Sequence, residues 1–343
     1  MHRSKLFDYG NGIIRDEGVL LETFIPRRLF HRDGQLEALA SCLRPVVKGR
    51  RPRNAFLYGP TGTGKTAMCR YVFRELSKYT GMAKPIYVNC WKNPTAHSIL
   101  CELVASLRQF VHRREPVKEL LLRFEAELKE GRIVIVALDE IDQLRDQRIL
   151  YDLLRNGCGL VCIANDEKAL MNLDPRIRSS LQLEEIAFPA YKDWELFDIL
   201  WDRAKLALMP DTIERRQVRM IASFSNGDAR VGLEIMRRAA LLAEDEGKER
   251  IEDEHIKRAW EQARFLRKDR LLEKLNEHEK LLYRLVEDYG EIASGELYKA
   301  YRSRVESPVT ERAYRKYMEH LAKLGLVKAK GEGRWRRYYS SRA

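Results

Sequence analysis

At 343 residues the chain is long enough for two or three domains, and a composition of 45% hydrophobic and 33% charged residues excludes a long disordered or low-complexity tract. No apolar run approaches the about 18 residues of a membrane span, and the start Met-His-Arg-Ser-Lys lacks the apolar segment of a signal peptide, so an intracellular protein with no membrane partner is expected. The six cysteines form no Cys-x-x-Cys pair, which points to reduced buried thiols, and 63 basic against 51 acidic residues, net +12, favour a polyanionic partner.

The apolar run 55–58, Ala-Phe-Leu-Tyr, reads as a strand, and residues 59–66, Gly-Pro-Thr-Gly-Thr-Gly-Lys-Thr, follow it at once. This is a phosphate-binding P-loop placed between a strand and a helix. Glycine is needed at Gly59, Gly62 and Gly64 so that backbone N–H groups can close around phosphates, with Pro60, Thr61 and Thr63 filling the turn. Lys65 then reaches the β- and γ-phosphates, and Thr66 ligands Mg²⁺. Ala67 lies in the first turn of the helix expected over 66–76, whose dipole favours an anion. ATP is the expected ligand.

A strand is expected over 85–89. Residues 133–142, Ile-Val-Ile-Val-Ala-Leu-Asp-Glu-Ile-Asp, form an apolar run ending in acids, as a buried parallel strand with function at its C-terminal edge would. Asp139 would hold Mg²⁺ and Glu140 would orient and deprotonate the attacking water; alternatively the acids cap the next helix. The strand 160–164 ends in Asn165, placed to polarise the same water or to make a turn. Alternation of strands and helices predicts a doubly wound α/β layer.

From Tyr191 onward amphipathic helices replace strands, over 194–208, 211–223, 229–246 and 253–265. The string Asn226-Gly227-Asp228-Ala229-Arg230 starts one of them, and Arg230 in its first turn either faces a nucleotide or is a surface Arg beside a cap. After a linker at 267–270 come helix 277–289, a short helix begun by Ser294, helix 310–324 and strands 327–330 and 334–340: a helix-turn-helix with a wing. Ala313, Tyr317, Leu321 and Leu324 form the expected buried stripe, leaving Arg312, Arg315, Lys316 and Lys323 outward. Glycines at 331 and 333 set a hairpin with Lys330, Arg334, Arg336 and Arg337 near its tip. The last segment carries Lys323, Lys328, Lys330, Arg334, Arg336, Arg337 and Arg342 against Glu332 alone, which favours a DNA-binding module over a protein-interaction one.

The P-loop, Asp139-Glu140, Asn165 and Gly-Asp-Ala-Arg, in that order, resemble the Walker A, Walker B, sensor 1 and sensor 2 elements of AAA+ ATPases. Within that group the chain resembles archaeal replication initiators related to the eukaryotic origin recognition complex and the Cdc-type helicase loader. The strings that carry this are 24–36 (Phe-Ile-Pro-Arg-Arg-Leu-Phe-His-Arg-Asp-Gly-Gln-Leu), 87–90 (Tyr-Val-Asn-Cys), 138–144 (Leu-Asp-Glu-Ile-Asp-Gln-Leu) and 173–181 (Leu-Asp-Pro-Arg-Ile-Arg-Ser-Ser-Leu). The resemblance runs from about residue 20 to the end.

It implies an AAA+ P-loop α/β base (1–190), an all-helical lid carrying sensor 2 (191–268) and a C-terminal winged-helix domain (271–343). It maps the adenine pocket onto Ile25, Pro26, Leu29 and Arg32, and a finger reaching a neighbouring subunit onto Arg176 or Arg178. An initiator-specific insertion that touches DNA would correspond to residues 107–122 with Arg108, His112, Arg113 and Arg114, although the expected loop glycine is replaced by Arg113-Arg114-Glu115-Pro116. The implied function is an ATP-dependent, slowly hydrolysing ATPase that binds double-stranded origin DNA and helps recruit or load an MCM-type helicase, alone or with initiator paralogues. The alternative is a transcriptional regulator or a non-principal initiator paralogue on the same scaffold.

Overall fold

The computed structural model describes residues 12–107, 109–112, 114–128, 133–273, 275–331 and 335–340. The chain divides into two compact units, Met1–Ala259 and Trp260–Ala343.

The first unit begins with α1 (Asp33–Leu43), β1 (Asn54–Tyr58), α2 (Lys65–Tyr79), β2 (Ala83–Asn89), α3 (Ala96–Ser106), α4 (Val117–Leu128) and β3 (Ile133–Asp139). It continues through α5 (Arg148–Arg155), β4 (Gly159–Ala164), α6 (Pro175–Leu181) and β5 (Leu183–Ala187). All five strands are parallel, in the order β2-β3-β4-β1-β5. Because successive side chains point to opposite faces, each strand feeds two cores. Phe56, Val136, Leu138 and Cys162 pack with Leu103, Phe124 and Leu150 of α3–α5, while Leu57, Ala137, Val161 and Ile163 pack with Leu39, Met68 and Val72 of α1 and α2. Both faces of β3 and β4 are covered, so these strands read as unbroken apolar runs; each fully buried Leu, Val or Ile contributes about 1.5–3 kcal/mol. The register places Tyr58 beside Ala164 and Asn89 beside Asp139, bringing the P-loop, the paired acids and Asn165 to one sheet edge.

Four helices follow: α7 (Asp193–Ala207), α8 (Arg215–Phe224), α9 (Ala229–Asp245) and α10 (Asp253–Glu273). The segment 267–270, expected as a linker, is helical and belongs to α10. No Gly or Pro interrupts α10, and its Lys, Arg, Leu and Glu residues are strong helix formers, so the charge run continues the helix instead of breaking it.

The second unit contains α11 (Glu277–Tyr289), β6 (Glu291–Ala293), α12 (Ser294–Arg302), α13 (Glu311–Lys323), β7 (Val327–Lys330) and β8 (Arg337–Ser340). Its antiparallel sheet has the order β6-β8-β7, which gives the helix-strand-helix-helix-strand-strand course of a winged helix. Leu282, Leu285, Val286, Leu297, Tyr301, Met318, Leu321 and Tyr338 form its core. The α13 stripe centres on Tyr314, Met318 and Leu321, one position away from the Ala313 and Tyr317 expected, which are half-buried. A helical face is wide enough that both sets border it, and the larger Tyr314 and Met318 take its middle.

Candidate functional site

The P-loop leaves β1 at Gly59, whose φ is 144° and where a Cβ would come 2.1 Å from the Phe188 carbonyl oxygen. At Gly62 φ is 70° and a Cβ would meet Asp228 Oδ1 at 1.7 Å. Glycine is thus required at both, by backbone conformation and by close approach. Gly64 caps α2 without a side-chain bond, leaving the first N–H groups of the helix for an anion. Lys65 is 6% exposed; its Nζ donates to the carbonyls of Gly59 and Pro60, each at 2.7 Å, and to Asn165 Oδ1 at 3.2 Å. Burial foremost, then the charge of Arg230, lowers the Lys65 pKa to about 8, against the pull of Asp139 and Asp228.

Thr66 donates to Asp139 Oδ2 at 2.6 Å, and the Tyr87 hydroxyl donates to the same oxygen at 2.7 Å. The other oxygen, Oδ1, accepts the Glu140 backbone N–H at 2.9 Å. Glu140 itself sits in the left-handed region, φ 55° and ψ 48°, which turns the chain sharply at the end of β3. Its carboxyl pKa is raised, chiefly by burial and further by the charges of Asp139 and Asp142, while Arg230 and a hydrogen bond from Asn89 oppose the rise. Burial, the Asp139 charge and the bond to it also push the Tyr87 phenol up, so it stays a donor.

The segment ahead of α1 lies along the loop and the lid. Pro26 is buried and Ile25 and Leu29 half-buried; Arg74 of α2 donates to the Ile25 carbonyl at 3.4 Å and to the Pro26 carbonyl at 3.1 Å. Arg32, mapped onto the adenine pocket from the sequence, is 4% exposed and engaged with backbone. It donates to the carbonyls of Thr63 at 3.2 Å and Pro189 at 2.6 Å and lies 3.9 Å over the Tyr191 ring. Arg32 therefore ties the P-loop to the strand-to-lid connection, in agreement with the rule that buried polar groups are hydrogen-bonded.

From the lid, Asp228 caps α9 through the N–H groups of Arg230 at 2.9 Å and Val231 at 3.4 Å, and its other oxygen accepts from Thr61 Oγ1 at 3.2 Å. Ala229 N–H adds a bond to the Gly62 carbonyl at 3.1 Å. The half-exposed Arg230 lies 3.8 Å from Glu22 and acts electrostatically on both Lys65 and Glu140. Lys65, Thr66, Asp139, Glu140, Asn165 and Arg230 are thus brought together. Arg176 and Arg178 stand apart, exposed on α6, and neither makes an ion pair among the described residues. Sequence reasoning gave no role to Asn89, Tyr87 or Tyr191 and read a cap at the start of α9 without its contact to the P-loop; the period-2 spacing of Tyr87 and Asn89 at the end of β2 was the available signal.

In the insertion region, Arg123 holds Glu115 through both carboxylate oxygens at 2.7 and 2.9 Å and bonds the Phe110 carbonyl, leaving Phe110, His112 and Arg114 exposed. Arg108 and Arg113 lie outside the described residues. In the second unit Arg312, Arg315 and Lys316 are all exposed along α13, as are Thr310, Glu311 and Glu319. Lys330 is exposed with its Nζ 5.7 Å over the Tyr339 ring, Arg336 is half-buried, and Arg337 pairs with Glu291 at 2.9 Å. Arg334 lies outside the described residues, as do the backbone around it and the Lys323 side chain.

Comparison with known proteins matches residues 28–161 to the AAA ATPase domain and residues 197–261 to the Cdc6 AAA+ ATPase-type lid domain. The ORC1-type DNA replication protein 9 of Halobacterium salinarum is 35% identical over 334 residues, covering 96% of this chain and 94% of its own. The structure of the Aeropyrum pernix ORC1 protein in complex with DNA is similar with a TM-score of 0.75 at 32% identity, covering 95% of this chain and 93% of that one. The ADPNP-ADP complexes of the Aeropyrum pernix ORC2 protein give a TM-score of 0.74 at 25% identity, covering 96% and 94%. With an AAA+ ATPase base, a Cdc6-type lid and a winged helix in one chain, and with near full-length similarity to these replication proteins, the chain belongs to the ORC1-type DNA replication protein family.

Proposed function

We propose that the chain is an ATP-dependent origin-recognition protein that binds double-stranded DNA and helps recruit an MCM-type replicative helicase, with slow ATP hydrolysis as its switch. The observation that carries this reading is one hydrogen-bonded constellation, Lys65–Asn165 and Thr66–Asp139 with Glu140 beside it, in a chain that ends in a winged helix with exposed Arg312, Arg315 and Lys316. The proposed working modules are the base 1–190, the lid 191–268 and the winged helix 271–343, in a cytoplasmic, nucleoid-associated protein.

Each group has its own task. The N–H groups of residues 59–67 and the Lys65 ammonium bind the phosphates, and Ile25, Pro26 and Leu29 face the base, with Arg32 holding the loop beneath it. Thr66 Oγ1 and Asp139 Oδ2 lie 2.6 Å apart and are oxygen donors of the kind a hard cation takes, so Mg²⁺ fits them. When bound, Mg²⁺ neutralises charge on the phosphate oxygens. Glu140, its pKa raised by burial, is suited to orient a water and accept its proton; Asn165 polarises that water. Arg230 reports the γ-phosphate to the lid, and Arg176 or Arg178 completes the site of a second copy or of a paralogue, which is why turnover by one chain is slow. On DNA, Arg312, Arg315 and Lys316 of α13 face the major groove while Lys330, Arg334, Arg336 and Arg337 of the wing follow the phosphates.

The test is a footprint of the purified protein on fragments of its own genome, with ATP and with ADP at one stated salt concentration. Protection of a few sites that direct replication supports the reading. Sites scattered at promoters favour a transcriptional regulator, and no protection refutes DNA binding.

A further inference from the structure

Asp139 is oriented by three donors that come from three different segments. Thr66 and Tyr87 share Oδ2, at 2.6 and 2.7 Å, and the Glu140 N–H takes Oδ1 at 2.9 Å. A carboxylate has about four lone-pair sites, so three occupied ones leave it a single rotational setting. Two of those donors also belong to the reaction centre, since Thr66 is placed as a metal ligand and Glu140 as the water base. Tyr87 is given neither task, and its hydroxyl bonds Asp139. Its ring is fixed from behind by Arg70 of α2, whose guanidinium carbon lies 4.2 Å from the ring centroid.

Tyr87 and Asn89 share a face of β2, and the register sets Asn89 directly beside Asp139. Asn89 opposes the burial-driven rise of the Glu140 pKa, so residues of this edge strand bear on both acids at the end of β3, Tyr87 through a direct hydrogen bond to Asp139. We infer that Tyr87 is a positioning residue for the metal-holding carboxylate: its hydroxyl sets the Asp139 orientation on which Mg²⁺ affinity at the nucleotide depends. The inference rests on the assignment of Thr66 and Asp139 as the Mg²⁺ site. Outer-shell hydrogen bonds to metal ligands orient them and tune affinity, typically by about 10–100-fold.

The experiment is a Mg²⁺ titration of fluorescent ATP binding by the full chain, with Y87F, Y87L and wild type, alongside nucleotide affinity in excess chelator. Y87F keeps the ring and its stack with Arg70 and removes only the donor. The expected result is a half-saturating Mg²⁺ concentration raised roughly tenfold in Y87F and in Y87L, with Mg²⁺-free affinity unchanged in Y87F. A wild-type half-point in Y87F overturns the inference, as does a shift seen in Y87L and missing in Y87F, because that is packing. If wild-type binding itself is independent of Mg²⁺, the assignment of Thr66 and Asp139 falls and takes the inference with it; dependence in wild type with no change in Y87F sinks the role of Tyr87 alone.

Discussion

Replacing Asp228 by Ala removes two contacts at once, the N-cap of α9 and the bond from Thr61 that joins the P-loop to the lid. Loss of an Asp cap costs about 1 kcal/mol, and loss of one partly exposed hydrogen bond costs about 1 kcal/mol more. At 1.36 kcal/mol per tenfold, the sum of about 2 kcal/mol corresponds to a roughly 30-fold larger open population of the first turn of α9. Native-state hydrogen exchange reads this at the first-turn amides, of which Ala229, bonded to the Gly62 carbonyl, keeps its acceptor in D228A while Arg230 and Val231 lose theirs. D228N keeps an acceptor oxygen and ranks with Asp as a cap, so its exchange should stay within about twofold of wild type. T61V breaks only the loop contact and should accelerate the same amides by roughly fivefold. Unchanged exchange in D228A, or an Asn variant as labile as the Ala one, would refute the coupling of loop to lid through this cap.

Three further outcomes are expected. E140Q should retain ATP binding and lose hydrolysis in a phosphate-release assay, and hydrolysis at the wild-type rate would remove Glu140 as the water base. Lys65 has its pKa lowered from 10.5 to about 8 in the fold, so between those values the unfolded chain binds the extra proton and folding gains stability as pH rises. Denaturant midpoints should therefore rise for wild type relative to K65M from pH 8 toward 10.5, and parallel profiles would show that Lys65 is not held in this way. On duplex DNA, K330A and R336A should each weaken binding across all sequences and reduce the slope of log affinity against log salt by about 0.9 per lost phosphate contact, whereas loss of a base contact in R315A should leave the slope and relax sequence preference.

Most of the base was legible because its strands are covered on both faces. β1, β3 and β4 are continuous apolar runs that end in chemistry-bearing residues, a pattern that neither a half-exposed strand nor an amphipathic helix produces. β5 carries no such mark, because Leu183–Ala187 is an edge strand paired only to β1, with Glu184 and Glu185 exposed, and shows neither an apolar run nor alternation. The residues of the site that carry phosphate and acid chemistry were likewise legible, since short motifs encode them. Tyr87 and Asn89 were visible only as residues of an expected strand and of a family string, and their effect on Asp139 and Glu140 depends on strand register, which the sequence does not display.

The P-loop motif also says nothing about what holds the loop, and here the holders come from outside it. Arg32 takes the Thr63 carbonyl, the Phe188 carbonyl closes on Gly59, and Asp228, 167 residues beyond Thr61, closes on Gly62. Two of these three lie in the connection to the lid or in the lid itself. A loop fixed only by its own turn could change on phosphate binding without consequence elsewhere. This one cannot shift at Thr61 or Gly62 without straining the cap of α9, and the first turn of α9 carries Arg230. The same contacts that pre-form the phosphate cradle therefore couple the loop to the lid, which is the physical requirement for the proposed nucleotide switch.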